Sequence, residues 1–187
     1  MGVGSHANIV HVIDFGLSKE YRSPNTHAHI PFKKGLGFTG TATFASINSH
    51  LGSELGRRDD LESLAYMLFY FLWGFLPWQG LGLDGDDIVE SKRGITSLPL
   101  FQGLPLELRT FFDHCRSLSF DGKPNYDHFF QLFNSLLVKE GFQDNVEFDW
   151  DRADAEILDL GQDVSIMSPA PQNESDLSGP SLKRHMR

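Results

Sequence analysis

Asp14 closes a run of β-branched and apolar residues, Ile9-Val10-His11-Val12-Ile13, and is followed by Phe15 and Gly16. A carboxylate at a strand end, on a turn loosened by glycine, can reach a divalent cation bound to phosphates, since such cations take hard oxygen ligands. Other combinations carry less. Gly35-Leu36-Gly37-Phe38-Thr39-Gly40 has the spelling of a nucleotide-binding glycine loop. It neither follows a clear strand nor opens a helix, so it is read as a chance match. His27 and His29 flank Ala28 in a loop and have the spacing to share a transition metal, but no third ligand stands near them in sequence. A lone Cys115 allows no internal disulfide and no cysteine-based metal cluster, which points to a reducing compartment, cytoplasmic or nuclear. Its own role is read as that of a small buried apolar residue.

The elements that must position Asp14 are read from pattern. Residues 9–15 predict a short strand and a turn. Residues 17–48 are rich in Gly, Thr, Ser and Pro without periodicity, far longer than an ordinary connection, and loops of that length are usually functional or disordered. Arg57-Arg58-Asp59-Asp60-Leu61-Glu62 then opens an apolar helix, its acids placed in the first turn where they favour the helix dipole. Residues 64–81 carry no formal charge, but Gly74, Pro77, Gln79 and Gly80 interrupt them. The uninterrupted part is about half of what a bilayer needs, so the helix is read as the centre of a globular domain and no membrane is expected as a partner. Residues 82–103 are read as a surface connection with one helical turn. Residues 105–118 and 124–138 predict two amphipathic helices, burying Leu108, Phe111, Phe112 and Cys115 on the first and Tyr126, Phe129, Phe130, Phe133, Leu136 and Leu137 on the second. Residues 140–163 hold nine acids against one arginine, and residues 164–187 have five serines, three prolines and no aromatic residue, so a disordered tail is expected there. With 25 acidic and 16 basic side chains the net charge is −9, which excludes a sequence-blind nucleic-acid binder. No secretory signal is read in the first dozen residues.

Asp14-Phe15-Gly16 gains specificity from the blocks downstream of it. Gly40-Thr41-Ala42, Ser46-Ile47-Asn48, Arg57-Arg58-Asp59-Asp60-Leu61-Glu62-Ser63-Leu64 and Leu76-Pro77-Trp78-Gln79-Gly80-Leu81 come in that order, and Phe148-Asp149-Trp150 closes the series. This succession resembles the casein kinase I family of serine/threonine protein kinases over residues 1–152, leaving 153–187 as an acidic and then Ser/Pro-rich tail. The resemblance implies a partial kinase large lobe, or C-lobe, mainly α-helical with a short β element at the N-terminus and a disordered C-terminal tail. It implies that Asp14 holds Mg²⁺ against the β- and γ-phosphates of ATP, that Phe15 packs in an internal hydrophobic column, and that Gly16 frees the turn. It further implies that residues 17–48 form the activation and substrate-docking loops, with Thr41 contacting the catalytic aspartate. Asp60, at the head of the central helix, would cap the backbone of the catalytic loop.

The same resemblance sets expectations about what is missing and changed. The glycine-rich lid, the lysine–glutamate pair, the catalytic aspartate and the metal-binding asparagine precede Asp-Phe-Gly in kinases, whereas thirteen residues precede Asp14 here. Met1-Gly2 resembles the Met-Gly just after the family's catalytic loop, so the chain reads as an incomplete lobe, inactive alone. The alternative reading is a non-catalytic, pseudokinase-like interaction module. Apolar surface left by the absent lobe predicts self-association. Thr43 stands where relatives have an arginine, and Gly82-Leu83-Asp84-Gly85-Asp86-Asp87 replaces a lysine-rich stretch. Protein substrates bearing Ser or Thr are expected, with acidic or primed ones favoured less than in typical relatives; Lys33, Lys34, Arg57 and Arg58 remain as a solvated positive face.

Overall fold

Seventeen residues, Arg57–Trp73, form the helix on which the rest is assembled, here labelled α2. It starts at Gly56, whose backbone N–H donates to the Asp59 carboxylate at 2.8 Å, and ends at Gly74, which takes the left-handed conformation (φ 76°) that glycine adopts without strain. The computed structural model describes Gly2, His6, residues 9–80 and residues 85–142. All of these lie in a first compact unit, Met1–Asn145. The second unit, Val146–Arg187, lies outside the described residues, and with it the expected tail and the Phe148-Asp149-Trp150 block.

The protein is mainly helical. A short helix α1 (Ile47–His50) precedes α2; α3 (Gly85–Gly94), α4 (Pro99–Gln102), α5 (Leu106–Ser117) and α6 (Tyr126–Lys139) follow it. Helix α2 packs along α5, and α5 in turn against α6. Their shared core is aromatic: the Phe69 ring meets Phe112 at 5.3 Å and Phe101 at 5.8 Å, Tyr66 meets Trp78 at 4.9 Å, and Phe111 meets Phe129 at 4.9 Å. These four pairs are edge-to-face, the arrangement the ring quadrupole favours.

Three expectations are corrected. The N-terminal β element does not form: residues 9–14 pair with no strand among the described residues, and Val10, Val12 and Ile13 are more than three-quarters exposed. A β-branched run needs a partner edge to become a strand, and none is present beside it among the described residues. Residues 82–103 are more than a surface connection, because α3, a 3-10 turn (Ile95–Ser97) and α4 bury Ile88, Val89, Lys92, Ile95 and Phe101. The helical period is masked by a lysine at a position the core demands. On α6, Phe129 is buried while Tyr126 and Phe130 are exposed, so the aromatic stripe faces the core on one side only.

The long stretch ahead of α1 is irregular, as its composition predicts, but it is tied down by two small antiparallel pairings, Arg22 with His29 and Lys34 with Ser53. Gly52 permits the second: a side chain there would begin 2.4 Å from the Leu36 carbonyl oxygen. No helix among the described residues is long and apolar enough to cross a membrane. On α2 the face away from α5 leaves Leu64, Met67, Phe71 and Leu72 exposed, together with Phe75 just beyond the helix.

Two truncations separate the faces of this helix. Phe69→Ala, at a fully buried ring, should cost about 3–5 kcal/mol in urea unfolding, and Leu72→Ala on the exposed face under about 1 kcal/mol. Equal losses would show that the Leu72 face is covered in solution.

Candidate functional site

The segment after Asp14, the pairing at residues 33–37 and the start of α2 enclose an open cleft of about 470 Å³. One wall is built by residues 16–19, the other by residues 53–57 and Asp60. Lys19 reaches across it to form an ion pair with Glu54. Arg57 lies over the Tyr21 ring, 4.6 Å from its centroid, and donates through Nη2 to the Asp121 carbonyl at 2.9 Å.

Asp60 turns its accessible side to the cleft, while the surrounding walls and the neighbouring Asp59 carboxylate hold its carboxyl above the ordinary aspartate range. Burial is the larger cause and Asp59 the smaller. Asp59, one residue earlier, is buried and fully engaged. Its Oδ1 accepts from the Ser46 hydroxyl at 2.8 Å and from Asn48 Nδ2 at 2.9 Å, and its Oδ2 from the Gly56 N–H. One turn on, Glu62 Oε1 accepts from the Ile47 N–H at 3.2 Å and the Tyr66 hydroxyl at 2.6 Å, with Arg116 3.9 Å away. Each residue of Ser46-Ile47-Asn48 therefore gives one hydrogen bond to a carboxylate of α2.

The predicted site residues fall in different places. Asp14 is exposed and holds a left-handed backbone (φ 60°, ψ 75°), capping the following 3-10 turn (Phe15–Leu17) by accepting from the Gly16 N–H at 3.3 Å. A non-glycine residue in that region costs on the order of 1–3 kcal/mol and is common at functional sites, although aspartate tolerates it better than most. Gly16 lies on the cleft wall. Phe15 departs from the expected internal column and is 67% exposed, because no described residue stands over it. Thr41 is exposed, outside the cleft lining, and its carbonyl turns the chain by accepting from the Phe44 and Ala45 N–H groups at 2.9 and 2.8 Å. The structure thus brings Gly16 and Asp60 to one cleft and leaves Asp14, Phe15 and Thr41 at or beyond its rim.

Among the described residues no group of three or more His, Cys, Asp or Glu side chains could hold a metal ion. Asp14 fits a narrower requirement: an accessible hard-oxygen donor suits a magnesium ion whose other positions are filled by phosphate oxygens and water. His29 is engaged otherwise, its Nδ1 3.0 Å from the Ile30 carbonyl and its ring edge-on to Phe120 at 4.6 Å. Arg58 donates to the Leu118 carbonyl at 2.9 Å. With Arg57 also committed to a carbonyl, two cations of the expected positive face are anchoring the loop before α6.

Sequence reasoning missed Asp59, Glu62 and Lys92 as organising residues. The first two were legible as acids three apart inside an apolar helix, a pattern that demands buried partners. Lys92 left no comparable signal. Compared with models of known protein families, the chain matches none.

Asp60 gives a pH test. Its folded pKa is raised, so the protonated form is bound preferentially in the folded state; that stability is fully present below the unfolded value of 3.8 and is lost as pH rises through the folded value. Asp60→Asn should therefore stabilise the chain at pH 7 and leave it unchanged near pH 3, as measured by urea unfolding. Destabilisation at pH 7 would mean that the ionised carboxylate has a partner.

Proposed function

We propose that the chain is the large-lobe part of a serine/threonine protein kinase of casein kinase I type, transferring the γ-phosphoryl group of ATP to Ser or Thr of proteins when the domain is whole. The observation that carries this reading is the shared cleft, in which residues 16–19 after Asp14 face Asp60 at the head of the central helix. Further support comes from the fastening of Ser46-Ile47-Asn48 to Asp59 and Glu62, which makes one unit of two blocks that resemble the family.

In this reading Asp14 is the carboxylate that would hold Mg²⁺, and the metal would neutralise charge on the phosphates during transfer. Gly16 lets the chain turn into the cleft wall, Phe15 awaits a cover, and Asp60 is an acceptor for backbone N–H groups of a catalytic loop. Thr41 would contact the catalytic aspartate. Positioning and electrostatic stabilisation supply nearly all of the rate in phosphoryl transfer. The lid, the paired lysine, the catalytic aspartate and the metal-binding asparagine are not among these 187 residues, so the chain alone is inactive in this reading.

A second reading, a non-catalytic interaction module, is favoured by the exposed apolar face of α2, where Phe71 is 69% exposed. Such a face favours self-association.

Both readings meet in one assay. The purified chain should show no phosphate transfer from Mg-ATP. Joined behind the small lobe and catalytic loop of a casein kinase I-type enzyme, a folded chimera should phosphorylate a Ser/Thr peptide, and Asp14→Asn in it should lower kcat by about 10²–10³, the usual cost of one electrostatic stabiliser. A folded chimera without transfer, or with transfer indifferent to Asp14→Asn, would remove the kinase reading and leave the interaction module.

A further inference from the structure

Lys92 on α3 is fully withdrawn from water, yet it carries an ammonium group. That group faces three acceptors: the Ala42 carbonyl at 2.8 Å, the Ala45 carbonyl at 2.6 Å and His50 Nε2 at 3.1 Å. An ammonium has three donors and no acceptor, so this set uses all of them. The rings of Tyr66 and Trp78 stand 5.0 and 5.2 Å from Nζ and complete the cage. Trp78 joins in by donating its indole N–H to the Thr43 carbonyl at 2.7 Å. Carbonyls 42, 43 and 45 of one loop are thus held by two core side chains.

The third acceptor imposes a protonation state. To accept from Lys92, His50 Nε2 must present its lone pair, which places the ring proton on Nδ1 and leaves the imidazole neutral. A second proton would arrive on Nε2 itself. It would set an N–H against the ammonium 3.1 Å away, bring two positive charges together, and turn His50 toward the Ala42 carbonyl, 3.3 Å from Nε2, which Lys92 already uses. Protonated His50 therefore competes with Lys92 both by charge and for an acceptor.

We propose that Lys92 and His50 form a proton-sensitive latch on the loop of residues 41–46, closed while His50 is neutral and released when it is protonated. The direction follows from the surroundings. Burial first, and the Lys92 charge second, hold His50 below its ordinary value of 6.5, against the opposing pull of the Ala42 carbonyl. A depressed pKa of this kind gives stability that is present above 6.5 and lost as pH falls through the folded value. Burial pushes the Lys92 ammonium down to about 8, with the Glu62 carboxylate of α2 opposing, so it stays charged as pH falls below 7. Burial pushes the Tyr66 hydroxyl up and the Cys115 thiol up to about 12. Arg116 of α5 donates to the Lys92 carbonyl at 3.5 Å.

Hydrogen exchange of the full 187-residue chain, followed by mass spectrometry, tests the latch without reading phosphoryl transfer, so its outcome is separate from that of the kinase assay. Protection of a peptide covering residues 39–46 is compared at pH 7 and pH 5 with that in His50→Gln at the same pH, where the amide keeps an acceptor for Lys92 but cannot titrate. The native chain should lose protection between pH 7 and pH 5 while the variant keeps it, and a peptide from α5 should stay protected in both. Equal changes in both chains, or loss of the α5 protection in parallel, would overturn the proposal. A second variant, Lys92→Met, should leave the loop unprotected at both pH values and move the His50 ring titration, read by its Cε1–H resonance, up toward 6.5. An unmoved His50 titration would also overturn it.

Discussion

Asp59 and Glu62 stand one turn apart on α2, at 2% and 3% exposure, and between them they take a hydrogen bond from each of Ser46, Ile47 and Asn48. Two carboxylates withdrawn from water are tolerable only with partners close at hand, because an unpaired buried charge costs several kcal/mol. The chain meets that demand by returning the end of its long loop to the head of its central helix. Once this contact is made, α1 has one position, the pairing of Lys34 with Ser53 follows, and the cleft acquires a wall running from Ser53 to Asp60.

The opposite side of the same loop is held by a cation. Lys92 and Trp78 fasten carbonyls 42, 43 and 45 from the direction of the core, while Asp59 and Glu62 fasten residues 46–48 from α2. Residues 42–46, which have no helix or strand of their own, and the start of α1 are thus set mainly by hydrogen bonds to charged groups, which are worth roughly twice those between neutral ones. Residues 16–19 lack such fastening apart from the Lys19–Glu54 ion pair, and Asp14 relies on its own cap of the Gly16 N–H. Rigid and loosely held walls of the cleft differ in this physical respect.

The helices were legible wherever the core period was spelled in apolar letters. Leu108, Phe111, Phe112 and Cys115 are buried as their spacing requires, and α2 begins with the acids that its dipole favours. The reading failed where tertiary context overruled local preference. Residues 9–14 have strand-forming side chains but no neighbouring strand among the described residues, and α3 was hidden because one of its buried positions is a lysine. Of the candidate site, Gly16 and Asp60 were each singled out in sequence, but that they line one cleft was not legible there. The Ser46 and Asn48 partners of Asp59 and the cage around Lys92 depend on contacts between residues 11 to 50 positions apart, and such separations leave no periodic trace in a sequence.

The contact between Ser46 and Asp59 is the point at which fold and functional reading rest on the same bond. A double-mutant cycle in urea unfolding, combining Ser46→Ala with Asp59→Ala, measures it directly. A coupling of about 1.5–3 kcal/mol is predicted, the range for a hydrogen bond to a charged group. Additivity of the two substitutions within about 0.5 kcal/mol would contradict the account, since the loop would then reach α2 without the carboxylate that is said to hold it.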